Sequence, residues 1–206
     1  MIPIDTLGVF FAASLLLCLA PGPDNIFVLT QSALRGPAAG CIVTLGLCSG
    51  LVVHTTAVAL GVAAIFQASA LAFSALKAVG AAYLLYLAWL SFRASAAGMP
   101  AGGESGLRGW RLYRRGIIMN VTNPKVSIFF LAFLPQFADP SQGALSLQLM
   151  LLGGVFIVAT LLVFGGIALL AGNLGQWLQR SAGAQRLINR IAGAVFIVLA
   201  LKLATA

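Results

Sequence analysis

Six apolar stretches, each about as long as the hydrocarbon core of a bilayer is thick, follow one another along this chain: residues 4–34 with one interruption, 39–66, 70–92, 115–137, 144–172 and 187–205. A helix needs roughly 20 residues to cross that core, whereas an outer-membrane strand would alternate apolar and polar positions over about ten. No such alternation is present, so the stretches read as helices. A soluble domain of this length would need polar atoms over most of its surface. With 16 charged side chains in 206 residues and 61% of positions apolar, the chain predicts an all-α integral membrane domain of six transmembrane helices. The connections between them are too short to hold a separate soluble domain.

The net charge of +8 would suggest a nucleic-acid partner in a soluble protein; its distribution argues against one here. Nine of the twelve cations fall in the first, third and fifth connections: Arg35; Arg93, Arg108, Arg111, Arg114 and Arg115; Arg180, Arg186 and Arg190. The connections around 67–75 and 138–143 contain no Lys or Arg. By the positive-inside rule the three basic connections are cytoplasmic, and both termini lie on the outer side. A secretory signal would open with cations, but residues 1–34 carry only Asp5 and Asp24, so the first stretch is expected to stay as a helix. Cys18, Cys41 and Cys48 lie within apolar stretches without disulfide or zinc spacing and read as packing thiols.

The chain divides into two related halves, about 1–93 and 110–206, joined by a Gly-, Ala- and Ser-rich linker at 94–109 that contains Pro100. Lys77-Ala-Val-Gly80 opens the third helix as Arg190-Ile-Ala-Gly193 opens the sixth. The first and fourth helices are each broken at proline beside Asn and one charge, at Pro21-Gly22-Pro23-Asp24-Asn25 and at Asn123-Pro124-Lys125. Three spans per half is an odd number, so the second half enters the membrane from the opposite side. The expected architecture is therefore two inverted three-helix repeats, a common plan among secondary transporters.

Asp24 and Lys125 carry the chemical information. A charge at membrane depth costs several kcal/mol, and such residues usually face a cavity or each other. Pro21, Gly22 and Pro23 should unwind the first helix, and Pro124 the fourth, which is tolerated only where the backbone lines a cavity or is buried in protein. Pro23 and Pro124 suit the first position of a new half-helix, and Asn123 suits its N-cap. Those half-helix N-termini and Lys125 would attract a carboxylate, and Asp24 would attract an ammonium. The pair is complementary to a zwitterion such as an α-amino acid, with Asn25, Asn120, Asn123, Thr30, Gln31 and Thr122 as nearby hydrogen-bonding groups. The alternative is a static ion pair that fastens the two halves together.

Pro21-Gly22-Pro23-Asp24-Asn25, then Arg35-Gly36 and the Gly40, Gly46, Gly50 series, resembles the first signature of the LysE/RhtB family of bacterial amino-acid exporters. Asn120-Val-Thr-Asn123-Pro124-Lys125, then Phe129, Phe130, Pro135, Gln136 and Phe137, is similar to its second. The likeness runs over essentially the whole chain in length, charge layout and motif order. It implies a multi-pass protein of the bacterial inner membrane with periplasmic termini. It also implies outward, proton-driven movement of an amino acid or close derivative, with neutral compounds such as homoserine, threonine or leucine favoured by the RhtB-like branch. Partners would then be the small-molecule substrate, protons and lipid, with a homo-oligomer left open and no cofactor, metal or enzymatic activity expected.

Other residues take lesser roles. His54, in the second helix, is of the type that ordinarily exchanges a proton near neutral pH and could relay protons, although a lone helical histidine more often packs. Asp24 is the better proton carrier, because burial and a neighbouring ammonium act on it in opposite senses and an arriving substrate alters that balance. Gly40, Gly46, Gly50, Gly153, Gly154, Gly165 and Gly166 are expected to allow close helix approach. Trp89, Trp110 and Trp177 read as interfacial anchors, and Lys77 and Lys202 as snorkelling side chains near outer ends. An ion or metal exporter would need several converging carboxylates or histidines, where only Asp24 and His54 qualify. A membrane thiol-redox protein would need a reactive cysteine in each half, and residues 107–206 contain none.

Overall fold

Prolines set where the helices begin. Pro23, Pro37 and Pro124 each occupy the first position of a helix, where the missing N–H has no intrahelical partner to lose and the fixed φ is already helical. The computed structural model describes residues 2–20, 22–93 and 109–205, and the described residues form helices and turns without a strand. The helices are α1 (Ile4–Leu19), α2 (Pro23–Arg35), α3 (Pro37–Ala68), α4 (Ala70–Arg93), α5 (Gly109–Val121), α6 (Pro124–Ile128), α7 (Leu145–Arg180) and α8 (Ala182–Thr205). Four of them contain segments long and apolar enough to cross a membrane: Pro37–Gly61, Ser74–Arg93, Leu145–Leu170 and Gln185–Ala204. Two bent pairs raise the number to six if each is one span: α1 with α2, bent by 61°, and α5 with Pro124–Phe137, bent by 50°.

Both breaks fall where the prolines put them. Gly22, in fully extended backbone, precedes α2, and the Asn123 side chain caps α6 by accepting from the Lys125 backbone N–H at 3.0 Å. Pro21 lies outside the described residues, as does the expected linker up to residue 108; Gly109 already belongs to α5. Beyond α6 the chain stays wound through a π turn at Phe129–Phe133, closed by the Leu134 N–H reaching back to the Phe129 carbonyl, and a 3-10 turn at Leu134–Phe137. Pro135, which cannot donate to the carbonyl four residues back, accounts for the widened turn. The α2–α3 corner turns on Gly36, whose φ of 87° is a left-handed value that suits glycine.

Two expected connections are shorter than the sequence suggests. The segment around 67–75 is helical except at Ser69, and the connection expected between 172 and 187 is helical except at Ser181. Neither interruption contains a proline, so only one residue leaves the helical path at each. The 138–143 connection is a real turn. Asp139 caps the short 3-10 helix Pro140–Gln142, and buried Gln148 clamps it by donating to the Asp139 and Gly143 carbonyls and accepting from the Asp139 N–H.

Helix α3 runs along both α7 and α5, α4 along α8, and α1 and α2 both lie on α7. In lipid, helix association depends on close packing and hydrogen bonds more than on burial of apolar surface, and glycines locate the contacts. A Cβ on Gly46 would overlap the Tyr113 carbonyl, one on Gly116 the Val43 carbonyl, and one on Gly50 the Asn120 side chain. Gly40 and Gly153 likewise meet Ser32 and Thr55. Gly154, Gly165 and Gly166 face open space within 4 Å, so the expectation of close approach fails for these three, which point away from the contact face of α7. Gly80 and Gly193, noted only as repeat markers, do lie at close contacts, with Ala132 and with the Phe92 ring. Phe10, Phe129, Phe130, Phe133, Phe137 and Phe156 form one aromatic cluster, with successive centroids 4.9–5.3 Å apart, that fixes the α6–Phe137 segment against α1 and α7. Lys202 places its ammonium over the Phe137 ring, 3.7 Å from the centroid, which is a specific cation–π contact and more than snorkelling. Trp89 and Trp110 are largely exposed near helix ends, Trp89 beneath the Arg93 guanidinium; the Trp177 side chain lies outside the described ones.

Candidate functional site

Where α1 stops at Leu19, its last carbonyls lose their intrahelical partners. Lys125, in the first turn of α6, supplies replacements: its ammonium donates to the Leu17 carbonyl at 3.0 Å and the Ala20 carbonyl at 2.7 Å. Asn25, in the first turn of α2, donates to the Cys18 carbonyl at 2.6 Å. A cation at a helix C-terminus also complements the helix dipole. The broken end of the first pair is thus held by a side chain from the break of the second.

Asp24 occupies the first turn of α2, where the N-terminal dipole favours a carboxylate. It is 4% exposed. Its Oδ2 accepts from Asn120 Nδ2, on α5, at 3.1 Å, while its Oδ1 and the Asn120 Oδ1 are buried without a hydrogen-bond partner among the described residues. A bare buried carboxylate oxygen is costly unless something comes to meet it. Asp24 and Lys125 form no ion pair with each other; each bonds to other groups. The static-pair alternative therefore does not describe this arrangement.

Gly22, Asp24, Asn25, Asn120, Asn123 and Lys125 all line one cavity. The space open to the centre of a water-sized sphere is about 20 Å³, room for one or two water molecules. An amino acid requires the walls to separate. His54 is not among the lining residues. Its Nε2 lies 3.1 Å from the backbone carbonyl of Asn120, an acceptor only, so that nitrogen carries the proton; the bond to Asp24 comes from the Asn120 side chain instead. Thr30 and Gln31 are buried on α2 away from the cavity lining, and Thr122 is exposed and bonded to the Ile118 carbonyl. Pro23 and Pro124 shape the breaks without lining the cavity. No group of three or more metal-ligating side chains occurs among the described residues.

Sequence reasoning missed two lining residues. Cys18, a packing thiol by its position in an apolar stretch, lines the cavity with Thr160, its Sγ 3.4 Å from the threonine oxygen, and Phe156 and Phe164 lie beside them. A signal existed for Thr160: it is the only hydrogen-bonding side chain between Gln148 and Asn173.

Comparison with known proteins agrees with this picture of a membrane protein. The family model described as LysE type translocator matches residues 15–206. A homoserine/homoserine lactone efflux protein of Salmonella typhi is 34% identical over 198 residues, covering 96% of this chain and 95% of its own. The protein of the same description from Salmonella typhimurium is 35% identical with the same coverage. An uncharacterized membrane protein of Vibrio cholerae is 30% identical over 197 residues, again covering 96% and 95%. No solved structure matches significantly. Matched along nearly its whole length, this membrane protein belongs to the LysE-type translocator family.

Proposed function

We propose that the protein exports neutral amino acids or close derivatives, of homoserine, threonine or leucine size, from the cytoplasm across the bacterial inner membrane in exchange for protons. The observation that carries this reading is the convergence of Asp24 and Lys125, one from each helix break, on a single cavity. The carboxylate oxygen of Asp24 that has no partner receives the substrate ammonium. Lys125 and the start of α2 receive the substrate carboxylate, which displaces the Leu17 and Ala20 carbonyls from the lysine ammonium. Asn25, Asn120 and Asn123 complete the hydrogen bonding. When substrate leaves, a proton replaces the ammonium on Asp24, with His54, bonded to the Asn120 backbone carbonyl, a second candidate for proton coupling. The efflux function named for the Salmonella relatives supports homoserine as the first substrate to try.

The same reading takes the two bent pairs as single spans, giving six spans in two inverted repeats with both termini periplasmic. Packing supports it: α3 pairs with its counterpart α7, α4 with its counterpart α8, and each broken span lies on the second helix of the other half. Such pairing suits alternating access, in which one repeat rocks against the other around a fixed site.

Everted membrane vesicles, cytoplasmic face outward, provide the test. With an acidic interior they should accumulate labelled homoserine, and an uncoupler should abolish accumulation. Accumulation that persists after the gradient is collapsed would remove proton coupling.

A further inference from the structure

The cavity has a polar lining group that the charged residues do not account for. Thr160, on α7, is 1% exposed and lines it. Its hydroxyl donates to the Phe156 carbonyl one turn back at 2.9 Å, which commits its single proton. The Cys18 Sγ, 3.4 Å from the same oxygen, is then the donor in that contact. A hydroxyl oxygen has two lone pairs, so one acceptor position remains, among the apolar walls of Leu51, Phe156 and Phe164. The cavity wall at Thr160 can thus accept a hydrogen bond and has no proton to offer.

We propose that Thr160 is a specificity-determining residue, whose oxygen accepts a hydrogen bond from a side-chain hydroxyl of the substrate and so selects hydroxyl-bearing amino acids over apolar ones of equal size. The inference rests on the reading that Asp24 and Lys125 hold the ammonium and carboxylate of an amino acid, because the side chain is then the part left to meet Thr160. The selectivity should be modest. A site whose polar groups are orphaned by the wrong substrate discriminates by factors of 10⁴ or more. Thr160 keeps Phe156 and Cys18 as partners when the substrate offers nothing, so about tenfold, the weight of one hydrogen bond, is the expected scale.

Homoserine and norvaline form a matched pair, differing by hydroxyl against methyl. Competition between them for transport in vesicles should show the parent protein preferring homoserine by about tenfold. Thr160→Val, of the same shape without the hydroxyl, should bring the ratio close to one, and Thr160→Ser should restore it. Thr160→Ala carries the same comparison if T160V does not reach the membrane. An unchanged ratio in T160V or T160A, or a ratio not restored by T160S, overturns the assignment. Transport of neither compound by the parent overturns both this inference and the amino-acid reading, whereas failure of the inference alone leaves the parent active with a ratio that does not depend on Thr160.

Discussion

Single side chains at the helix ends do most of the polar work. At the 138–143 turn, Asp139 accepts from the Ser141 N–H at 2.9 Å and from Gln142 at 3.3 Å. These bonds to Ser141, chiefly, hold its carboxyl below the usual carboxylate range. A carboxyl lowered in the folded state stabilises the turn above its ordinary value, and the contribution disappears as pH falls through the lowered one. Hydrogen exchange of the Ser141 amide, which the carboxylate accepts from, should therefore be constant from neutral pH down to about pH 5, after correction for intrinsic rates, and quicken below about pH 4. Asp139→Asn, which keeps the capping oxygen, should flatten that dependence; an unaltered one would remove Asp139 as its source. At the other extreme, the charged residues of the cavity were legible in the sequence because a charge inside an apolar run has few reasons to be there. Cys18 and Thr160 were not, because a thiol and a lone hydroxyl are cheap to bury and occur in packed helices without chemical purpose. The lysine was legible in position and not in partner: nothing in the order of residues says that its ammonium caps the end of α1.

Among the elements, the breaks were readable and the extents were not. Proline, glycine and asparagine act on the backbone locally, so the starts of α2 and α6 follow from a few adjacent residues. Whether a helix runs on through Ser69 or Ser181 depends on weak propensities, and which glycine faces a neighbour depends on helix rotation, which a uniformly apolar segment does not encode. The glycines give a paired prediction. Gly46→Ala places a methyl against the Tyr113 carbonyl, backbone that cannot swing aside, and should destabilise the α3–α5 contact by about 1–3 kcal/mol. Gly154→Ala meets open space and should change stability by no more than about 1 kcal/mol. Thermal unfolding in detergent checks both, and equal effects would show that the contact faces are wrongly assigned.

For the molecule as a whole, two halves lean on each other through their breaks: Lys125 of the second holds the end of α1, and Asn120 of the second holds Asp24 of the first. On the proposed reading, a substrate carboxylate that displaces the Leu17 and Ala20 carbonyls from Lys125 would release the end of α1, which is how binding would favour the shift between inward and outward openings. The orientation has its own check. Ser141→Cys, in a background without Cys18, Cys41 and Cys48, should react with an impermeant maleimide in intact cells whose outer membrane has been opened; protection there with labelling only in everted vesicles would reverse the orientation. The central claim is that Asp24 and Lys125 are the two ends of one amino-acid site. Its most direct measurement is gradient-driven homoserine transport in proteoliposomes containing the parent protein, Asp24→Asn or Lys125→Ala, at matched protein content. The account predicts transport about 10- to 150-fold lower in Lys125→Ala, which removes a charge-assisted contact of about 1.5–3 kcal/mol, and lower still in Asp24→Asn, which also removes the exchanging proton; transport by both variants at the parent rate would contradict it.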